Sequence, residues 1–180
     1  MPKRPGKCYR KLESRPYVKK RTRRGKELVR GVPDPKIRIF HMGNRKAEFP
    51  VLVYLIAEEA GQIRHFALEA ARITANRFLD KSIGKENYHL KINIYPHHVL
   101  RENKMMAFAG ADRLQDGMRR AFGKPIGTAA RVRVGTKIMI VGIKKGHIEK
   151  AKEAFRRAAM KFPMPCKIVV EEFETPVKVP

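Results

Sequence analysis

The pattern of hydrophobic and polar positions divides the chain into predicted strands and helices. Apolar residues that alternate with polar ones, or that form a short continuous run, predict strands. These patterns occur at residues 36–41, 51–56, 88–95, 131–134, 137–143 and 166–173. The fourth and fifth of these strands flank Gly135 and Thr136 and are expected to pair as a hairpin. After the last strand, residues 174–180 are expected to form a frayed end.

Helical spacing of apolar residues predicts two amphipathic helices. The first is expected over residues 58–79, with Glu58 and Glu59 at its start, and the second between Gly146 and Pro163. Two helices are too few to cover both faces of a parallel sheet. The predicted fold is therefore α+β, a two-layer sandwich of a mainly antiparallel sheet with two helices on one face.

The segment between the third and fourth strands allows two interpretations. Residues 101–113 combine flanking cations, an apolar centre and a Gly break. The pattern alone leaves open a core strand at residues 104–109 or a long loop whose apolar tip reaches a partner. A short helix over residues 112–122 is expected to follow, with Met118 and Phe122 on its core face.

Composition adds an unusual charge to this picture. The 180 residues include 41 Lys and Arg against 17 Asp and Glu, which gives a net charge of +24. Such a field weakens the compact state unless a polyanion screens it. No apolar run reaches the ~18 residues of a membrane span, and residues 1–31 lack the apolar stretch of a secretory signal. Nucleic acid is therefore the expected partner, and no membrane is expected.

Residues 1–31 differ from the rest of the chain. They hold thirteen Lys and Arg against two Glu, a net charge of +11, and their apolar residues have no sustained period. This composition predicts an extended arm that becomes ordered on a phosphate backbone. Tyr9 and Tyr17 lie among the cations and can stack on bases, which favours an RNA-binding arm over a solvated tail. The predicted organisation is an arm at 1–31, a domain at 32–173 with a long loop at 101–113, and a tail at 174–180.

Motifs for catalysis are incomplete. Five residues instead of four separate Gly117 from Gly123, and Pro125 stands where a phosphate-binding P-loop needs Ser or Thr. Glu58 and Glu59 are adjacent, so on a helix they would point about 100° apart rather than converge. The expected result is no catalytic residue, no cofactor, no small-molecule substrate and no enzymatic activity.

Metal-ligand spacing is also missing from the sequence. His97 and His98 follow Pro96 without a Cys or carboxylate at ligand spacing, so they predict a turn or an RNA-stacking surface rather than a metal site. Cys8 and Cys166 are far apart and are expected to be free thiols.

Cations of the arm and of the segment before the fourth strand are expected to neutralise RNA phosphates. These predicted rRNA-binding residues are Lys3, Arg4, Lys7, Arg10, Arg15, Lys19, Lys20, Arg21, Arg23, Arg24, Arg119, Arg120, Lys124 and Arg131. Two alternatives are an architectural DNA-binding protein and an RNA-modifying enzyme. The first would need an element shaped for a groove, and the second a cofactor loop or convergent acid and base groups; the sequence has no such motif.

Several motifs, many of them within residues 98–132, resemble those of one family. They are Cys8-Tyr9-Arg10, Val32-Pro33-Asp34-Pro35, Leu68-Glu69-Ala70-Ala71-Arg72, His98-Val99-Leu100-Arg101, Asn103-Lys104-Met105, Ala109-Gly110-Ala111-Asp112-Arg113, Gly117-Met118-Arg119 and Gly123-Lys124-Pro125. The family is the large-subunit ribosomal protein called ten-e in archaea and eukaryotes and sixteen in bacteria. The similarity extends to about Phe173, and the short C-terminus is typical of the archaeal form.

This resemblance implies properties that composition does not show. It implies a hammerhead-like α+β sandwich, located on cytoplasmic ribosomes, that binds large-subunit rRNA near the A-site tRNA and the peptidyl-transferase centre. Its implied roles are tRNA positioning and subunit assembly, with A-site and P-site tRNA and neighbouring large-subunit proteins as partners. It favours the loop interpretation of residues 101–113. The implied tRNA-proximal residues are Arg101, Asn103, Lys104, Met105, Met106, Phe108, Gly110 and Arg113.

Overall fold

A computed structural model of the chain describes residues 4–12, 18–103 and 117–180. Most of the predicted loop at 101–113, its strand alternative and the first half of the predicted short helix lie outside the described residues.

The described residues form eight strands and two α-helices. The strands are β1 (His41–Gly43), β2 (Phe49–Ala57), β3 (Gly61–Arg64), β4 (Tyr88–Ile92), β5 (His98–Glu102), β6 (Lys124–Val132), β7 (Lys137–Ile143) and β8 (Cys166–Val177). The helices are α1 (His65–Ile83) and α2 (Ile148–Ala159). Short 3-10 turns occur at Gly6–Tyr9, Lys85–Asn87, Gly117–Arg120 and Lys145–His147. Neither α-helix of the described residues is long and apolar enough to cross a bilayer.

The strands form two antiparallel sheets. One has the order β1-β4-β7-β2-β8, and the other has the order β3-β6-β5. Helix α1 packs against α2, and the two helices contact β4 and β2 of the larger sheet. The predicted two-layer α+β architecture is confirmed, with its single sheet divided into two.

The continuous apolar run of β2 is explained by burial on both faces. Val51, Val53 and Leu55 belong to the main core beneath the helices. Leu52 and Tyr54 point to the other face and pack with a second apolar cluster that includes Val179. A frayed end from Glu174 onward is therefore wrong, because β8 continues to Val177 and the residues after it cover this face.

The first helix starts later than its sequence pattern predicts. Residues 61–64 fall within the predicted helix but pair with β6, so the chain is extended there and α1 begins at His65. Within α1, every third or fourth residue is buried, as Leu68, Ala71, Ala75 and Leu79 show. The helical period is visible in the sequence, but a long-range strand pairing moves the boundary.

The predicted hairpin around Gly135 is wrong. Strands β6 and β7 flank this turn but belong to different sheets. The reason lies in the turn itself, whose backbone bonds to the end of β2: the Gly135 N–H donates to the Ala57 carbonyl at 2.9 Å, and the Ala57 N–H donates to the Thr136 carbonyl at 3.0 Å. Ala57 thus separates the two strands.

Two shorter segments also differ from prediction. Within residues 36–41 only His41 belongs to a strand, while Ile37 is buried without joining a ladder. The described part of the predicted short helix is a single 3-10 turn at Gly117–Arg120. Met118 and Phe122 do not face the core, since they are 87% and 60% exposed.

Candidate nucleic-acid interface

The described parts of the N-terminal segment lie against the body of the protein. Tyr9 is buried with Leu100 and Ala129 of the smaller sheet. The backbone N–H of Gln62 donates to the Arg10 carbonyl at 2.8 Å, and the Gln62 side-chain amide donates to the Lys11 carbonyl at 2.8 Å. Basic residues near Tyr9 are therefore held at fixed positions on the surface. Ordering of the whole arm on a phosphate backbone stays a prediction.

A second part of the arm folds back on itself as a small hairpin, residues 19–28, here called the basic hairpin. The backbones of Arg21 and Glu27 form an antiparallel β-bridge, and the Thr22 N–H donates to the Lys26 carbonyl at 2.9 Å. Gly25 has a φ of +80°, a left-handed conformation that glycine adopts without steric cost in a tight turn. The hairpin is anchored where the Val99 N–H donates to the Val18 carbonyl at 2.7 Å. Its exposed cations are Lys19, Arg21, Arg23, Arg24 and Lys26.

The arm groove is a cleft of about 350 Å³ between the basic hairpin and the body. Its lining includes the cations Lys19, Lys20 and Arg21 and the rings of Tyr95 and His97. The remaining lining residues are Val32, Pro33, Asp34, Pro35, Pro96 and Thr128. Cations and aromatic rings in one groove are the combination that proteins use to bind single-stranded nucleic acid.

The helix cleft is a second opening, of about 340 Å³, between the start of the chain, β3 and the segment after α2. Its cations are Lys7, Arg10, Arg64 and Lys161, which come from distant parts of the sequence. Glu59 pairs with Arg10. Three or more cations around one opening can hold phosphate oxygens.

The loop-base cleft, of about 240 Å³, lies where β5 ends. It is lined by Arg4, Cys8, Tyr9, Arg101, Glu102 and Asn103. Glu102 forms an ion pair with Arg4 and accepts a hydrogen bond from the Tyr9 hydroxyl at 3.4 Å. The Glu102 carboxylate raises the pKa of Arg4, through its hydrogen bond and its charge. These contacts fasten the N-terminus to the base of the predicted tRNA-proximal loop.

The other side of the loop base is closed by a cation stacked on a ring. The Arg101 guanidinium lies 3.9 Å from the centroid of the Phe122 ring and donates to the Phe122 carbonyl at 3.4 Å. Gly123 follows with a φ of +78°, and a Cβ there would lie 2.9 Å from the Asn103 nitrogen. From sequence, the Gly123-Lys124 pair predicts a close approach of the backbone to phosphate. In the structure the close approach is to the backbone of Glu102 and Asn103.

The sequence model of a protein family described as ribosomal protein L16p/L10e matches residues 14–169 of the chain. The chain belongs to the L16p/L10e family of ribosomal proteins. It is similar to the large ribosomal subunit protein uL16 of Staphylothermus marinus, with 58% identity over 178 residues that cover 99% of both chains. The corresponding protein of Archaeoglobus fulgidus is 54% identical over 96% of this chain and 95% of its own length. That of Hyperthermus butylicus is 53% identical over 94% of each chain.

Membership of the L16p/L10e family confirms the resemblance found in the sequence motifs. It also confirms that the chain is not an enzyme, because the family is one of structural ribosomal proteins. Among the described residues, no three His, Cys, Asp or Glu side chains cluster in a way that could hold a metal ion.

The structure distributes the predicted rRNA-binding cations of this family member over all three clefts. The arm groove contains Lys19, Lys20 and Arg21, the helix cleft contains Lys7 and Arg10, and the loop-base cleft contains Arg4. Other predicted cations are exposed and do not line any of these three clefts: Arg23, Arg24, Arg119, Lys124 and Arg131. Lys3, Arg15 and the side chain of Arg120 lie outside the described residues.

Of the predicted tRNA-proximal residues, the structure describes Arg101 and Asn103, both at the loop-base cleft. The remaining residues, Lys104, Met105, Met106, Phe108, Gly110 and Arg113, lie outside the described part of the chain.

Sequence reasoning missed several residues that the fold brings to the clefts. Arg64 and Lys161 complete the helix cleft, but no local motif marks them. Tyr95 lines the arm groove, and its position beside the Pro96-His97 turn was the available signal. His97 is exposed at the groove, where the interpretation as an RNA-stacking surface stays a prediction. His98 is buried at the start of β5, so neither the turn nor the stacking surface describes it.

Proposed function

We propose that this chain, a structural constituent of the large ribosomal subunit, binds large-subunit rRNA near the A-site tRNA and the peptidyl-transferase centre. The observation that carries the proposal is the grouping of cations in three clefts, in two of them from separate elements, in a chain with a net charge of +24. Its relatives are named as proteins of the large ribosomal subunit.

The proposed mechanism of rRNA binding is charge neutralisation by a rigid surface. Lys and Arg side chains that contact phosphates release condensed counterions, which favours association and makes it dependent on salt. The folded body fixes the spacing of the three clefts, so the surface selects the shape of folded RNA rather than a base sequence. Because it fits folded rRNA, the chain also supports subunit assembly and contacts neighbouring subunit proteins.

Co-sedimentation with the large subunit tests this proposal. The wild-type chain is expected to remain with the large subunit at moderate salt. Replacing both Lys7 and Lys161 of the helix cleft by Ala is expected to weaken binding and to lower the salt slope by about two, roughly one for each phosphate that is no longer neutralised. The matched control replaces the exposed Lys46 and Lys85, which lie outside the clefts, and should weaken binding less. A wild-type chain that leaves the subunit at moderate salt would overturn the proposal.

We also propose that residues 101–113 lie beside tRNA and that contacts at the end of β5 hold them there. Arg101 fixes the loop base through its stack on Phe122, so it controls the position of the loop without belonging to the core. Arg101→Ala is expected to reduce A-site tRNA placement while subunit assembly stays normal, and Lys104→Ala should act in the same direction. Arg101→Lys keeps the charge but loses the planar stack, so it should be intermediate. Unchanged tRNA placement on normally assembled subunits would contradict this role.

A further inference from the structure

The arm groove contains a buried hydroxyl that the fold leaves unsatisfied. Thr128 of β6 is 6% exposed and lines the groove. Its Oγ1 has no hydrogen-bond partner among the described residues. A buried hydroxyl without a partner is costly, so a group that enters the groove and bonds to it would remove this cost.

The aromatic rings of the groove form a prepared stacking surface. Tyr95 is 45% exposed, and its ring stacks on Phe40 with 5.5 Å between centroids. The His97 ring lies 4.6 Å from that of Tyr95. Tyr95 and His97 line the groove, whereas Phe40 supports Tyr95 from outside it. Because this packing already orders the rings, little side-chain freedom is left to lose when a planar ligand stacks on them.

The groove brings cations and aromatic rings together. Lys19, Lys20 and Arg21 belong to the basic hairpin, and the Asp34 carboxylate lies 3.9 Å from the Lys20 ammonium. Burial and the nearby Lys19 lower the pKa of His97. The His97 ring is therefore neutral near pH 7 and suits stacking rather than phosphate binding. The groove thus offers cations for a phosphate and neutral rings for a base.

We propose that the arm groove receives one unstacked nucleotide of large-subunit rRNA. Its base lies against Tyr95 and His97, its phosphate lies among Lys19, Lys20 and Arg21, and the Thr128 hydroxyl bonds to its polar edge. A volume of about 350 Å³ lies near the lower limit of small-ligand sites, which suits a single nucleotide. The inference rests on the proposed rRNA binding and adds a nucleotide-specific site to it.

A nucleotide within a strand fits the groove better than a free nucleotide does. Beyond the groove, the exposed cations Arg23, Arg24 and Lys26 of the basic hairpin continue the positive surface. Phosphates on either side of the captured nucleotide would lie along these cations, whereas a free mononucleotide would leave them unused.

The affinity of variants for the chain's own large-subunit rRNA tests whether a base stacks on Tyr95. Tyr95→Ala is expected to weaken binding about 5- to 150-fold, the range of one base–aromatic stack, without changing the salt slope. Tyr95→Phe keeps the ring and should bind as the wild type does. Lys20→Ala should instead reduce the salt slope by about one. Thr128→Val, which removes the hydroxyl at nearly constant volume, should weaken binding several-fold with an unchanged slope.

Ultraviolet cross-linking of the wild-type chain to rRNA, read by mass spectrometry, is independent of how the variants fold. The expected adduct is a single nucleotide on the peptide that contains Tyr95 and His97, with adenosine and cytidine monophosphates unable to compete at millimolar concentration. Adducts confined to the basic hairpin, wild-type affinity of folded Tyr95→Ala, or competition by the monophosphates would each overturn the inference. Failure of the wild-type chain to bind rRNA would instead overturn the proposed function.

Discussion

His41 and His89 face each other across strands β1 and β4. The His41 Nδ1 and His89 Nε2 atoms are 3.2 Å apart, and the two rings stack with 5.4 Å between centroids. Burial, then His41 and the nearby cations Arg45 and Lys91, lowers the pKa of His89 to about 4. The pair is therefore neutral in the folded protein near pH 7, and protonation of His89 opposes folding.

This pair predicts a loss of stability in mild acid. The pKa of His89 rises from about 4 in the folded chain to ~6.5 in the unfolded chain, so below pH 6.5 the unfolded state takes up a proton that the folded state does not. His89 should lower the free energy of unfolding by about 2 kcal/mol between pH 7 and pH 5. Urea unfolding of the wild type and of His89→Gln at both pH values measures this. Equal pH dependence in the two proteins would contradict the assignment.

At the scale of elements, the end of β5 and the start of β6 lie together beside the start of the predicted loop at residues 101–113. The chain returns through Gly123, whose Cβ position lies 2.8 Å from the Glu102 carbonyl carbon. Its φ of +78° also lies in the left-handed region that disfavours a side chain. Both the conformation and the contact therefore require glycine directly before β6.

Substitution of two glycines separates these causes. Gly135 has a φ of +81° with open space around its Cβ position, so Gly135→Ala should lower the free energy of unfolding by about 1 to 2 kcal/mol from conformation alone. Gly123→Ala should lower it further, because it adds a clash with backbone atoms, and it should also reduce tRNA placement. Urea unfolding gives both free energies. Equal effects would show that the approach to Glu102 and Asn103 does not constrain the loop.

The elements also show what the sequence can predict. The apolar run of β2 and the helical period of α2 are properties of neighbouring residues, and both elements were predicted. The start of α1 and the partners of β6 depend on contacts between residues that are distant in sequence. Residues 61–64 lie in the predicted helix but pair with β6 as β3, and β6 pairs with β3 and β5 instead of forming the predicted hairpin. The same limit applies to the clefts: the arm cations were predicted, but their meeting with Tyr95, Thr128 and Lys161 required the fold.

At the scale of the whole molecule, a net charge of +24 dominates. Ion pairs such as Arg4–Glu102, Arg10–Glu59 and Lys20–Asp34 fix the positions of basic segments but neutralise few of the cations. The remaining positive surface disfavours the isolated folded chain and favours its complex with a polyanion. Family membership and the shape of the clefts point to folded rRNA as that polyanion.

The most direct test compares the affinity of the purified chain for its own large-subunit rRNA and for duplex DNA between low and high salt. With about ten phosphates contacted, the logarithm of the rRNA association constant should fall with the logarithm of salt at a slope of about −7 to −9, and rRNA should be preferred at every salt concentration. A slope near zero, or equal or tighter binding of DNA, would contradict the account of a chain shaped to neutralise ribosomal RNA.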